Sequence, residues 1–475
     1  MRCKFAILVL FAFFSTWTLP TASSLAQETG KSEGFNFTKV DTDLLDEVDQ
    51  VDALYAKKGL VLENPGLQAY LDEIGKQVTA NIPVPDHVQF RFKVLRDSMA
   101  NAYAAPNGTV YITTGLLAIL ENEAQLVAVL GHETTHIYKR HSYIENRSNR
   151  KKALAFNIFE IGVAVGGSVA QGAANSHPST YGGLRTQMRI ENYGQMIQMG
   201  SEICQLLIVA SIYGYSRDME READQGGLAA LISGSYDPRA QARLMDLLEA
   251  DSKVEFQPIP SFYEDHPKLS ERRKVAVEFA DAHPVANPRT PSEKEFLQKV
   301  APAIVWDTQA NINGRRERAA VEQAKRLSDA FPDTSQYQVL LADAYRALGP
   351  RSRTATEEEL SRRGLARERS ALQNRTEEEE ERNRLKSPEG QAALKENQAQ
   401  AESIYQSVLK VNPQTAEAFR GLGYLYEEQG KYLEAIAQYR HYLDLVAGTS
   451  LDHLRIEHRL AALEKLNANA PLTTK

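Results

Sequence analysis

Apolar positions recur at helical spacing over most of the stretch from residue 38 to 285, broken by two short runs with strand-like alternation, Phe90-Arg91-Phe92-Lys93-Val94 and Thr109-Val110-Tyr111-Ile112. Between them stands the turn signal Pro106-Asn107-Gly108, which predicts that the two runs lie antiparallel around it as a small sheet. This is an α+β fold, mostly helical. Residues 283–297 are rich in Pro, Ser and charge, so a linker is expected over 286–297, with one domain before it (38–285) and an all-α domain after it (298–475).

The second domain has an internal period. Leu341-Ala342 with Tyr345 recurs as Leu422-Gly423 with Tyr426, and each copy follows a proline, Pro332 or Pro413, that closes the preceding helix. Gly430, Ala435, Tyr439 and Tyr442 then fall where two helices interlock through small and aromatic residues, a pattern that resembles tetratricopeptide repeats. Residues 350–397 interrupt the array with a charged run around Thr376-Glu377-Glu378-Glu379-Glu380-Glu381, expected to be a solvated helical insertion or a disordered loop without a binding role.

Composition changes the picture at the N-terminus. Arg2 and Lys4 precede an apolar run from Phe5 to Trp17 and the small-residue site Ser24-Leu25-Ala26, so residues 1–26 are expected to be a signal peptide cleaved before Gln27. Cleavage leaves 53 basic against 62 acidic residues, a net charge of −9, and Cys204 as the remaining cysteine, which cannot form an internal disulfide. The expected location is an oxidising compartment such as a bacterial periplasm. The acidic balance gives no footprint for nucleic acid.

The chemistry begins at Gly131-His132-Glu133-Thr134-Thr135-His136, an HExxH string on a helical pattern. Residues four apart on a helix lie about 40° apart around its axis, so His132 and His136 can offer two imidazoles to one zinc ion, with Glu133 placed to take a proton from water that the metal acidifies. A third protein ligand is needed. Ser216-Arg217-Asp218-Met219-Glu220-Arg221-Glu222-Ala223-Asp224 supplies Glu220 for that place and Asp224, one turn on, to accept the second ring N–H of a ligating His. The competing reading of this segment is a surface ladder of Arg and Glu pairs.

Two jobs are open to His266, which precedes Pro267 in a turn: it can donate to the oxyanion of the tetrahedral intermediate, or fill the open zinc position in the resting state, the role expected here. Arg272 is expected to organise that loop. His141, nine residues after His132, faces about 180° away on a continuing helix and reads as a surface position or one behind the ligands. Residues 153–170, interrupted by Asn157 and Glu160, and 196–213, which lead into the Glu220 helix, read as buried flanking helices rather than membrane spans. Gly166 to Gly183 reads as a lid. Asn101, Ala102 and Tyr103 are candidates for an edge strand that pairs with extended substrate, against a hairpin that merely closes the core.

These residues resemble peptidase family M48. The likeness rests on the Gly-His-Glu-Thr-Thr-His helix, the Ser-Arg-x-x-Glu-x-x-Ala-Asp helix, His266-Pro267-Lys268-Leu269-Ser270-Glu271-Arg272, Asn101-Ala102-Tyr103-Ala104 and Gly115-Leu116-Leu117, and it spans roughly residues 40 to 280. It implies a gluzincin-like zinc metalloprotease domain with one Zn2+ per chain held by His132, His136 and Glu220, Glu133 as general base and Asp224 in support. With an export signal and repeats attached, it further implies a periplasmic endopeptidase acting on misfolded or stalled exported proteins. Outer-membrane β-barrel proteins are the implied clients and their assembly machinery the implied partner of the repeats, with at most peripheral membrane contact. The alternative is a chaperone or adaptor working through the repeats with a latent protease site. A prenyl-protease-like activity is disfavoured by the export signal.

Overall fold

The computed structural model describes residues 36–84, 87–98, 100–145, 147, 215–252, 269–313, 316–348, 386–446, 448 and 450–468. Several expectations fall outside these residues: the signal peptide at 1–26, the apolar stretches 153–170 and 196–213, the Gly166 to Gly183 span, His266 and the Glu377 to Glu381 run. Among the described residues no helix is long and apolar enough to cross a membrane.

Two helices, α1 (Lys39–Lys57) and α2 (Pro65–Thr79), lead into strands β1 (Arg91–Leu95), β2 (Ala102–Ala104) and β3 (Thr109–Thr113). Helices α3 (Thr114–Ile119) and α4 (Glu123–Tyr138) follow, then α5 (Arg217–Ser233), α6 (Arg239–Ser252) and α7 (Leu269–Ala282). Helix starts obey local chemistry. Asn64 accepts from the Leu67 N–H with Pro65 at the first helical position of α2, and Asn122 accepts from the N–H groups of Ala124 and Gln125 at the start of α4.

The sheet order is β1-β3-β2, and its pairing differs from the expectation. β1 runs parallel to β3, with Arg91 opposite Thr109 and Leu95 opposite Thr113, while the antiparallel partner of β3 is β2. The Pro-Asn-Gly turn is real but joins the strand directly before it. Ala105 N–H donates to Thr109 O (2.7 Å), Gly108 N–H to Ala105 O (3.0 Å), and Gly108 takes φ +97°. With only four residues between β2 and β3, this turn leaves β1 the opposite edge of β3, and the six residues from Arg96 to Asn101 bring the end of β1 and the start of β2 to the same end of β3, which makes β1 parallel to it.

Helices α8 (Glu293–Asn313), α9 (Glu317–Ala330) and α10 (Ser335–Ala347) continue the same core rather than starting a separate one. Of the segment expected as a linker, residues from Glu293 onward are helical, and Phe296 and Leu297 are buried with Leu126, Leu130 and Ile112 in one cluster. Polar ties reinforce the junction. Arg326 donates to the carbonyls of Ala118 and Leu120 at the end of α3 (2.9 and 2.7 Å), satisfying groups a helix end leaves open, and Thr114 donates to the buried Asp307 (3.0 Å).

The remaining helices are α11 (Pro388–Val411), α12 (Ala416–Glu428), α13 (Tyr432–Leu445) and α14 (Leu451–Ala468), each packed on the next. The first ten residues of α11 belong to the stretch expected as part of an insertion. The repeat pattern works as read: Leu422, Ala435, Tyr439 and Tyr442 are buried, and the absent side chains of Gly421 and Gly423 admit the rings of Tyr405 and Tyr439. A Cβ on Gly423 would stand 2.3 Å from the Tyr439 ring, which cannot retreat because it is fully buried and its hydroxyl donates to Glu427 (2.7 Å). Gly423→Ala is therefore expected to destabilise the repeats by about 1–3 kcal/mol, read as a lower midpoint in urea denaturation; an unchanged midpoint would show that the ring is not held there.

Candidate metal centre

Helix α4 is the centre of the first domain, buried on all sides from Ala124 through Ile137. His132 and His136 leave its same face one turn apart, and their Nε2 atoms lie 3.2 Å from each other. The third group comes from α5. Ser216 caps that helix by accepting from the Met219 N–H (3.3 Å), which puts Glu220 in its first turn, fully buried. Glu220 Oε1 lies 3.4 Å from His136 Nε2 and Oε2 lies 3.6 Å from His132 Nε2.

Glycines let the two helices come this close. A Cβ on Gly226 would meet Thr135 Oγ1 at 1.8 Å, one on Gly131 would meet the Ala230 Cβ at 2.6 Å and the Gly226 carbonyl at 2.9 Å, and one on Gly227 would meet the Ala128 carbonyl at 2.9 Å. Thr135 itself donates to the Gly131 carbonyl (2.7 Å), so its hydroxyl is fixed at the crossing. No side chain at these positions means no spacer between backbones, and the Glu220 carboxylate reaches the imidazoles.

The donor set fits a zinc ion. Ligands about 2.0–2.1 Å from a tetrahedral zinc stand about 3.4 Å from one another, matching the separations of the three groups. They form the one His/Cys/Asp/Glu cluster of this kind among the described residues. Charge agrees: Glu133, Glu220 and Asp224 are three buried acidic groups with the Arg272 guanidinium among them, and a divalent cation offsets the negative charge they carry when ionised.

The surroundings orient the ligands. Asp224 Oδ1 lies 3.3 Å from His132 Nδ1, and Arg272, from α7, donates to both Asp224 oxygens (2.8 and 2.5 Å). Burial alone would raise the Asp224 carboxyl, but the Arg272 charge and the His132 hydrogen bond outweigh it and hold the group well below the usual carboxylate range. Glu133 behaves oppositely. Its burial and the neighbouring negative charge of Glu220 push it well above that range, against the weaker pull of Arg272 and the Ala104 N–H of β2. A cation held by the three ligands adds to that downward pull.

Behind His136 stand Tyr215, which the sequence reading did not place, and His141, which takes the second of its two expected positions, behind the ligands. The Tyr215 ring stacks on its imidazole at 3.9 Å between centroids, and His141 Nδ1 lies 3.0 Å from its Nδ1. His141 is buried rather than on the far side, because α4 ends at Tyr138 and Arg140 takes φ +60°, which folds the chain back beneath His136. Burial lowers the His141 pKa despite the opposing pull of Glu222, favouring the neutral ring. Arg272 serves Asp224 directly. Asn101 and Tyr103 turn their main chains to β3, as the Thr113 N–H to Asn101 O (2.9 Å) and Ala105 N–H to Thr109 O (2.7 Å) bonds require of the alternation between them.

Fold and site together define a zinc metallopeptidase domain joined to tetratricopeptide-repeat helices. Residues 65–280 match the model of Peptidase family M48, and residues 389–448 match a tetratricopeptide repeat model. The chain is similar to the putative beta-barrel assembly-enhancing protease of Vibrio cholerae, 25% identical over 230 residues that cover 47% of this chain and 41% of that protein. It is also similar to the mitochondrial metalloendopeptidase OMA1 of Schizosaccharomyces pombe, 28% identical over 43% of this chain and 51% of that one. The beta-barrel assembly-enhancing protease of Escherichia coli is 20% identical over 55% of this chain and 50% of its own. The matched region thus spans about half the length of these relatives or less.

The helix crossing gives a direct test. Gly226→Ala is expected to destabilise the domain by about 1–3 kcal/mol and to weaken zinc retention, measured by denaturation and by metal analysis after dialysis against a mild chelator; retention equal to wild type would show that the crossing does not set the site.

Proposed function

We propose that the chain is a periplasmic zinc endopeptidase that cleaves misfolded or stalled exported proteins in outer-membrane protein quality control. The observation that carries this reading is the convergence of His132, His136 and Glu220 with the buried Glu133 beside them. When bound, zinc supplies a Lewis acid that polarises the scissile carbonyl and acidifies water. Glu133 takes the proton from the attacking water as the new C–O bond forms, then delivers it to the amide nitrogen as the C–N bond breaks. Its buried position, which favours a protonated carboxyl, suits it to holding that proton between the two events.

Substrate pairing falls to β2, one of the two edge strands of the sheet, where extended chains add by backbone hydrogen bonds largely indifferent to side chains. Since Asn101 and Tyr103 are engaged with β3, the main chain of Ala102 is the part of that segment turned away from β3; Ala102 is fully buried, so pairing requires the edge to open. His266 keeps its proposed role at the open metal position. The names of the V. cholerae and E. coli relatives support barrel proteins as clients, and the repeats support contact with the assembly machinery.

Glu133→Gln is expected to keep the fold and one zinc per chain while cutting cleavage of casein or an unfolded β-barrel protein by at least ~10²-fold, and a chelator is expected to abolish cleavage until zinc is restored. Cleavage that survives both treatments contradicts the proposal. If barrel assembly in cells proceeds normally with Glu133→Gln, the repeats act as a chaperone or adaptor and hydrolysis is secondary.

A further inference from the structure

Three carboxylates of α5, Glu220, Glu222 and Asp224, fall within five residues, and two already have work: Glu220 faces the imidazole Nε2 atoms, and Asp224 faces His132 Nδ1. The third, Glu222, points the other way around the helix. Its Oε2 lies 3.0 Å from His141 Nε2, and His141 Nδ1 lies 3.0 Å from His136 Nδ1. Proton positions along this row follow from one fact. If the metal takes His136 at Nε2, as the facing of the Nε2 atoms implies, the His136 proton sits on Nδ1 and must be donated. His141 Nδ1 is then the acceptor, which puts the His141 proton on Nε2, where it donates to Glu222. Each atom has the role its neighbour needs.

We infer that His141 and Glu222 are positioning residues for the metal: Glu222 acts through the His141 imidazole to fix the tautomer, orientation and basicity of His136, as Asp224 does directly for His132. This inference rests on the zinc peptidase reading and deepens it. The two ligands are held differently. Asp224 is buried and locked by Arg272, whereas the Glu222 side chain is 49% exposed and reaches His136 only through the buried ring of His141. Tyr215 completes the arrangement by covering the His136 ring face, its hydroxyl 2.7 Å from Ser142 Oγ on the segment that carries His141. Both supports of His136 thus come from α5 or the residues just before it, the same helix that brings Glu220.

The test is zinc affinity of the full chain, measured by competition with a chromogenic chelator, together with urea denaturation of the metal-free protein. Glu222→Ala and His141→Ala are each expected to raise the zinc Kd about 10- to 100-fold, and Glu222→Gln, which retains an acceptor for the His141 N–H, to raise it less. Because the row acts in series, the double variant is expected to lose no more than His141→Ala alone. Metal-free Glu222→Ala is expected to denature at the wild-type midpoint, and this half-exposed position keeps the test valid if His141→Ala does not fold. Unchanged zinc affinity in Glu222→Ala overturns the inference alone, as do multiplicative losses in the double variant or a matching fall in metal-free stability. Wild-type protein that takes up no zinc overturns the metallopeptidase reading, and this inference with it.

Discussion

The site depends on how closely two helix backbones can cross. Glu220 is useful only if α5 passes α4 with no side chain between them, and Gly131, Gly226 and Gly227 provide that passage. Interior packing resists compression, so a single methyl at such a contact displaces one helix relative to the other rather than being absorbed. A displacement of even about an ångström would separate the Glu220 oxygens from imidazoles that now stand 3.4 and 3.6 Å away.

The same crossing creates an electrostatic demand. Three buried acidic groups stand around one guanidinium, and burying charge without compensation is among the most unfavourable things a fold can do, so Glu133 is pushed toward its protonated form. A divalent cation resolves the imbalance, and Arg272 resolves the remainder by gripping Asp224 with two hydrogen bonds. Helix α5 carries the means of both binding and orientation: Glu220 toward the metal, Asp224 toward one imidazole, and Glu222 toward the ring behind the other. The helices that follow do not hang from this domain as an independent appendage at their start, since α8 to α10 share its core and reach the corner between β3 and α3 through Thr114 and Arg326.

Much of the centre could be read from local spacing. HExxH and the carboxylate pair four residues apart follow from helical periodicity, which needs only that each helix form, and the Gly and Tyr pattern of the repeats is equally local. What could not be read required knowing where an element ends or what lies across space. His141 was placed by extending a helix that stops at Tyr138, and Arg140 at φ +60° reversed its direction. The sheet expectation paired the two most strand-like runs around the turn; the segment read only as a candidate edge strand, Ala102–Ala104, is the one that took the antiparallel place. The glycines were visible in the sequence, as Gly131 and Gly226-Gly227, yet carried no meaning until their partners across the crossing were known. The core's continuity past residue 292 was hidden because composition marks where a chain bends, not whether the helix beyond it returns to the same core.

The most direct measurement is zinc K-edge X-ray absorption on the purified full-length chain and on Glu220→Ala. The account predicts a low-coordinate shell of nitrogen and oxygen at about 2.0–2.1 Å, with the multiple-scattering signature of two imidazoles, and the loss of one oxygen neighbour in the variant. A shell containing sulfur from Cys204, a shell without imidazole, or a spectrum indifferent to Glu220→Ala would contradict it.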